Sequence, residues 1–565
     1  NIVKHKSAFQ SNFQNPLWLV VPLTDRSYIT SIKTYSMRMF SSTDSLNSGN
    51  ENSLSKITNK SYIVTYVKRY LGDFGKCRQN YINLLNEPRV LSFLKNVHPF
   101  QEMDNMVRFV ERSPFYNKKF FQKVRNEIAS TKQTFLSNVA KAQEISSFDF
   151  IPNVTVSEHV FACQYIVKHF FNYGKNGSYT PTFEEVWLTI NKRASIGLPY
   201  PWIKKRDMKN YAFEIYCQFT RGTLDLRRLV QYDEFFTPLT GAFVRNQITD
   251  GGLKVRLVFA VSFGFIVIET YFNLIIKHHT QDHFCHAIHG YTQVNLRNLT
   301  SSLDKYNVLC IDYKSFDQGV PAYVISTSAM ISASVMGLST YEFSIFKTLV
   351  AYFITCPVFH PEVDYMEKKR GIPSGSGFTS LFGSLCNMYM LAASMHRYCK
   401  NNNIDITSVN ILLIVSSDDT MICTDFIIDF ELLHSLLHEI FGMTIELESH
   451  CNAGESLCFF LGSKWVLGNP TRNIDRMLAR ICFGTGNYPK MTDLQMIQSR
   501  AFEILGNTSE YSKIFGTFNI PYPTRVFRPL ELMDYQARMI AFNTLVGSEK
   551  RGVWEDVILD RDSAD

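Results

Sequence analysis

The sequence contains no C-x-x-C pair; its twelve cysteines stand singly, at positions such as Cys77, Cys163, Cys217, Cys310 and Cys482. That spacing excludes a short disulfide-stapled secreted scaffold and predicts reduced thiols in an intracellular compartment. Glycine (28) and proline (19) are sparse, and charged residues are 19% of the chain against 45% hydrophobic, which excludes disordered and collagen-like chains. The first residues, Asn1-Ile2-Val3-Lys4-His5-Lys6, lack an apolar stretch followed by a small-residue cleavage site, so no secretory signal is expected. No G-x-x-x-x-G-K-[ST] is present, which disfavours an ATP-driven helicase. No repeat of about 20–50 residues is evident, which argues against a solenoid or propeller. The one membrane-length apolar stretch, Leu257 to Ile276, contains Glu269. A carboxylate there costs about 2.5–3.5 kcal/mol near a bilayer centre, so a strand plus a buried helix is expected and no membrane partner.

What is present is enough chain for several lobes: 565 residues give three to four at roughly 150 residues each. Residues 41–61 are rich in Ser, Asn and Thr and predict an N-terminal arm or linker spanning 1–61. From about Tyr62 to Lys192 the apolar spacing is mostly helical. The formal charge is +7, and residues 191–256 carry +6 of it, twelve Lys or Arg against six acidic residues. There Lys204, Lys205 and Arg206 lie among Tyr200, Trp202, Tyr211 and Tyr216, a mixture suited to phosphates and stacked bases. The last fifteen residues hold five acidic side chains against Arg551 and Arg561, and should stay off a polyanion track.

The chemistry is concentrated after residue 307. Val308-Leu309-Cys310-Ile311 predicts a buried strand ending on Asp312, with Asp317 five residues on. Ile411 to Val415 and Thr420 to Cys423 flank Ser416-Ser417-Asp418-Asp419, a hairpin signature. Adjacent like charges at a hairpin tip repel, so keeping both makes sense when a cation sits between them and another carboxylate. Oxygen-only ligation selects Mg²⁺ or Mn²⁺ over Zn²⁺, and two such ions clamp in-line phosphoryl transfer. Between these motifs, Arg370-Gly371-Ile372-Pro373-Ser374-Gly375-Ser376-Gly377-Phe378-Thr379 predicts a flexible loop running into a helix. Thr379, Gly383 and Asn387, four apart, share one face of that helix and could present polar groups to a sugar hydroxyl.

In this order the residues resemble the palm of viral RNA-dependent RNA polymerases. Ser374-Gly375-Ser376-x-Phe378-Thr379, Asp312-x-x-x-Phe316-Asp317-Gln318 with Pro321, and Phe460-Leu461-Gly462 look most like the partitivirus and picobirnavirus branch of double-stranded RNA viruses. Gly197-Leu198-Pro199-Tyr200 resembles the motif along the template path, and Lys254-x-Arg256 the basic motif that meets the incoming triphosphate. The resemblance implies an α+β fold, a closed right hand of fingers, palm (antiparallel sheet backed by helices) and thumb. Its expected boundaries are fingers at 62–306 and 322–365, palm at 307–321 and 366–470, and thumb with tail at 471–565. It further implies that Asp312, Asp418 and Asp419 hold Mg²⁺ or Mn²⁺, and that Asp317, Ser374, Gly375, Thr379 and Asn387 recognise the nucleotide and its sugar with Lys254 and Arg256. RNA would contact Gly197, Pro199, Lys204, Lys205 and Arg206. Template and product RNA, ribonucleoside triphosphates and capsid protein are the implied partners, in the virion interior or host cytoplasm.

Departures from the family pattern are Ser417 where Gly usually precedes the Asp pair, Gly383 where picornavirus-like enzymes carry Asn, and no lysine in Ile445 to His450 to serve as general acid. His450 and Lys464 are the nearest candidates for that role. Competing classes are a two-metal phosphodiesterase or nuclease and a non-catalytic RNA-binding or capsid protein. A reverse transcriptase is opposed by the sugar-site residues. His278, His279, His283, Cys285, His286 and His289 predict a polar helix near the RNA channel, with a Zn²⁺ site as the alternative.

Overall fold

The apolar run ending on Asp312 and the hairpin carrying Asp418 lie side by side at the centre of one sheet. A computed structural model describes residues 87–484, apart from 96–100, 103, 113–114, 147, 172–178, 193, 281–298, 361–363, 456 and 472. In chain order its main elements begin with α1 (Lys118–Ala129), α2 (Thr131–Ser146), α3 (Val156–Phe170) and α4 (Lys209–Thr220). A long hairpin, β1 (Thr240–Thr249) and β2 (Gly252–Ala260), leads into α5 (Phe263–His278). Then come β3 (Asn307–Tyr313), α6 (Ala322–Met336), α7 (Thr340–Thr355), β4 (Pro357–His360), β5 (Asp364–Glu367) and α8 (Thr379–Asn401). The last are β6 (Ile411–Ser416), β7 (Asp419–Thr424), α9 (Phe430–Phe441), β8 (Ile445–Cys451), β9 (Leu457–Phe460), β10 (Ser463–Val466), β11 (Asn469–Thr471) and α10 (Ile474–Cys482).

The central sheet has the order β6-β7-β3-β8, antiparallel throughout. Ile311 pairs with Thr420 and Ser416 with Asp419, so Asp312 lies level with the β6–β7 turn. On the other edge of β3 the register with β8 slips between Cys310 and Ile311, leaving Glu448 as an extra residue opposite the slip. Bulges of this kind re-aim a side chain next to functional sites. A second sheet, β2-β1-β4-β5, carries the basic hairpin.

Helix α8 backs the central sheet, packed against α3, α6, α9 and β6. Its run Leu381 to Met395 is buried, and Phe378 and Phe382 stack at 4.7 Å while Phe382 meets Phe353 of α7 edge-on at 5.6 Å. This pins the start of α8, and with it the preceding Gly/Ser loop. At the far end Arg397 grips Glu158 of α3 through Nε–Oε1 (2.7 Å) and Nη2–Oε2 (2.8 Å), both side chains nearly out of solvent. Burial works against the Glu158 charge, yet the Arg397 and Thr155 hydrogen bonds hold its carboxyl below the usual range.

The stretch from Leu257 to Ile276 divides as expected into the end of β2 and most of α5, and among the described residues no helix is long and apolar enough to cross a membrane. Among the described residues the cysteines form no disulfide. Of the histidine cluster, His278 ends α5 with its ring stacked on Tyr179 at 4.4 Å, and His279 caps the helix. His283, Cys285, His286 and His289 lie outside the described residues, as do the N-terminal arm and the C-terminal tail.

Candidate active site

Strand β3 is Val, Leu, Cys and Ile, all buried, and delivers Asp312 half-buried at its end. The Tyr313 backbone N–H donates to Asp312 Oδ1 (2.8 Å), fixing the carboxylate. Burial, then repulsion from Asp418, raises the Asp312 carboxyl. Asp419 is pushed up to about 7 by burial and by Asp418 and Asp312, with Arg256 and Arg476 pulling the other way. Three carboxylates therefore share one cleft and repel one another, which is the electrostatic state a divalent cation relieves.

The donor set fits Mg²⁺ or Mn²⁺: oxygens only, like-charged, on rigid strand ends. Among the described residues no three His, Cys, Asp or Glu side chains close into a ready-made cage. Mg²⁺ sites commonly use one or two carboxylates, waters and substrate phosphates, so an incomplete protein cage suits a site whose substrate brings the remaining ligands.

Lys254 and Arg256 project from β2 on its exposed side, alternating with buried Val255 and Leu257. Both attract the carboxylates of Asp312 and Asp317, so they overlook the cleft. Asp317 follows on the short helix Phe316–Gly319; burial, then Asp418, pushes it up to about 7, against the pull of Arg256, Lys368 and Lys254. Its backbone carbonyl accepts from Ile372 N (2.5 Å), and a Cβ on Gly371, whose φ is +87°, would lie 2.6 Å from that oxygen. The Gly/Ser loop is thus seated directly on Asp317. Within it, Ser374 Oγ accepts from Phe259 N (3.1 Å), and a Cβ on Gly375 would run into the Phe259 carbonyl. Thr379 Oγ1 folds back to Pro373 O (2.7 Å) and Ser376 O (2.8 Å), holding the loop closed at the start of α8.

Asn387, expected to help read the sugar, faces the hairpin turn in this structure. It is fully buried, its Oδ1 accepts from Tyr313 OH (2.9 Å), and its Nδ2 donates to Ser417 O and Thr420 Oγ1 (both 2.7 Å). Both amide donors are used, so it clamps the β6–β7 turn to α8. The helical spacing correctly puts Asn387 below Gly383, but the hairpin rides on that face and shuts it from solvent. Ser417 holds φ +58°, a left-handed conformation uncommon for a side-chain-bearing residue, with its N–H bonded to Ser384 Oγ (3.0 Å). A Cβ on Gly383 would lie 2.6 Å from Ser417 Oγ, so the two departures from the family pattern face each other.

Three of the residues expected to contact RNA lie buried. Gly197 and Pro199 are buried, and a Cβ on Gly197 (φ +87°) would press on the Val261 carbonyl at 2.9 Å. Lys205 is 7% exposed, turned inward between exposed Lys204 and Arg206 by the 3₁₀ turn Lys205–Met208. A charge run does not reveal which of its members faces in.

Sequence reasoning assigned no role to Glu448, Lys368 or Arg476. Glu448 stands exposed at the β8 bulge, where partial desolvation by the surrounding protein and repulsion by Asp419, Asp312 and Asp418 push it up to about 8. Lys368 is buried, its Nζ donating to Gly371 O (2.8 Å) and Phe353 O (3.2 Å) beside Asp317. Arg476 of α10 bonds Asp250 (3.4 Å) and attracts Asp419. The only sequence signal was the basic run Lys368-Lys369-Arg370 before the loop.

A family model described as viral RNA-dependent RNA polymerase matches residues 252–516. The RNA-directed RNA polymerase of Cryptosporidium parvum virus 1 is 28% identical over 248 residues, 43% of this chain and 45% of that protein, so the match spans under half of that relative. The RNA-dependent RNA polymerase of a human picobirnavirus superposes with a TM-score of 0.58 at 13% identity, covering 88% of this chain and 99% of that one. Its insertion-loop deletion mutant gives 0.57 at 14%, with the same coverage. Likeness at that identity speaks for the fold, a palm-type polymerase fold of mixed helices and antiparallel sheets, while the family match covers the strand and hairpin that carry the carboxylates. Over residues 252–516, just under half of its length, the chain is thus similar to viral RNA-dependent RNA polymerases.

Proposed function

We propose that this protein synthesises RNA on an RNA template, transferring nucleotides from ribonucleoside triphosphates to a 3′-hydroxyl in transcription and replication of a viral genome. The observation that carries the proposal is the convergence of Asp312, Asp418 and Asp419 in one cleft, with Lys254 and Arg256 overlooking it and the Ser374–Thr379 loop seated on Asp317. A nuclease has no use for a sugar-facing loop locked between its acidic motifs.

Asp312, Asp418 and Asp419 would hold the divalent cations, which when bound would activate the attacking hydroxyl and stabilise the leaving oxygen. Lys254 and Arg256 bind the triphosphate and neutralise charge that grows toward pyrophosphate. Asp317 reads the ribose 2′-hydroxyl, and Ser374 and Thr379 supply the wall beside it. Exposed Lys204 and Arg206 lie on the RNA path. In this reading 307–321 and 366–470 form the palm, 62–306 and 322–365 the fingers, and capsid protein is the partner inside a virion or host cytoplasm.

The sugar assignment has its own test. Asp317→Ala should narrow the preference for ribonucleotides over deoxyribonucleotides by about tenfold, the worth of a hydrogen bond to a charged group. Asn387→Ala should slow both sugars equally, because it loosens the turn and not the ribose contact. Single-nucleotide incorporation kinetics check both: an unchanged preference in Asp317→Ala removes that residue from the role, and a narrowed one in Asn387→Ala reinstates Asn387.

A further inference from the structure

Glu269 is the lone acidic residue in α5, whose first ten residues are all buried, and it is itself wholly out of solvent. An apolar side chain would fill that space without the cost of desolvating a carboxylate. Its Oε2 accepts from the Gly377 N–H (2.6 Å), the neighbouring Ser376 side chain favours its charged form, and among the described residues Oε1 has no hydrogen-bond partner. One turn on, Asn273 Nδ2 donates to the Gly377 carbonyl. Two residues on one face of α5 thus hold both backbone groups of Gly377, and a Cβ on Gly377 would meet Glu269 Cβ at 3.0 Å. The other end of the loop is held by the Phe259 N–H on Ser374, from the strand that carries Lys254 and Arg256. Lys205, buried against the Phe263 ring at 5.9 Å, supplies the cationic attraction to Glu269 from the Lys204–Arg206 turn.

We propose that Glu269 is a positioning residue for nucleotide selection: it holds the Ser374–Thr379 loop in the shape that faces the ribose. The inference rests on the proposed role of this loop in reading the sugar. The carboxylate touches no substrate and acts through Ser376 and Gly377.

The test is steady-state incorporation of one ribonucleotide and its deoxy counterpart on an RNA primer–template by the full chain, Glu269→Gln and Ser376→Ala. Glu269→Gln should raise the ribonucleotide KM about tenfold with kcat changed less than about threefold, and should move the deoxynucleotide KM little. Ser376→Ala, which removes one hydroxyl and no charge, should shift selectivity in the same direction by less. A loss shared equally by both sugars, or unchanged constants in both variants, overturns the proposal. If Glu269→Gln does not fold, Ser376→Ala decides alone, with unchanged selectivity counting against the proposal. A wild-type chain that incorporates neither nucleotide removes the polymerase function together with this inference, whereas an active wild type with indifferent variants removes the inference only.

Discussion

Asp418→Ala should abolish Mg²⁺-dependent ribonucleotide incorporation, by roughly 10⁴-fold, while leaving RNA binding largely intact. Asp418 occupies a half-exposed position at the two-residue tip between β6 and β7, where removing a side chain leaves no cavity and breaks no core contact. Its carboxylate repels those of Asp312, Asp317, Asp419 and Glu448, so it stands at the centre of the acidic cleft. Without it the remaining carboxylates repel one another less but no longer surround a cation. In the proposed reading RNA affinity rests on basic side chains such as Lys204, Arg206 and Lys254, which the substitution does not touch. Single-turnover extension alongside filter binding separates the two. Full activity in the variant would sink the metal assignment, and loss of RNA binding in parallel would make the defect one of folding.

Gly375→Ala should be the most damaging glycine-to-alanine change among the described residues. The added Cβ runs into the carbonyl oxygen of Phe259, which is backbone of a strand paired on its other side to β1 and cannot rotate away. Overpacking typically costs about 1–3 kcal/mol, and a backbone collision belongs at or above the top of that range. The cheaper escape is for the loop to lift from β2, giving up the Phe259 N–H bond to Ser374. A displacement of about 1 Å at a site of this kind costs about 10²-fold in rate. The expected result is a lowered thermal midpoint with incorporation reduced at least that much. A variant with wild-type midpoint and rate would show that the loop does not need its seat on β2.

The carboxylates were legible from sequence because each follows an apolar run that can only be a buried strand, and strand ends aim side chains predictably. Lys254 and Arg256 were singled out through the resemblance alone; the structure adds that period-two alternation puts both on the face opposite Val255 and Leu257. The surroundings of Asn387 were not legible, because helical spacing tells which face a residue occupies but not what covers that face. The cover is the hairpin turn, whose Ser417 carbonyl and Thr420 hydroxyl consume both amide donors. Lys205 was misread because charge composition carries no direction; a single 3₁₀ turn separates it from its exposed neighbours. Glu448 was invisible as a cleft residue because its placement depends on a register slip between two strands distant in sequence. Glu269 was noticed only as the polar interruption that opposes a membrane span, and its use for the Gly377 amide emerged from the packing of α5 on the loop.

The decisive measurement is to change one base in a defined RNA template and identify the nucleotide added opposite it, with Mg²⁺ and all four ribonucleoside triphosphates present. Templated synthesis predicts that the incorporated nucleotide switches to the complement of each new base and that the product lengthens to the template end. Incorporation that ignores the template base, or shortening of the RNA instead of extension, would contradict it.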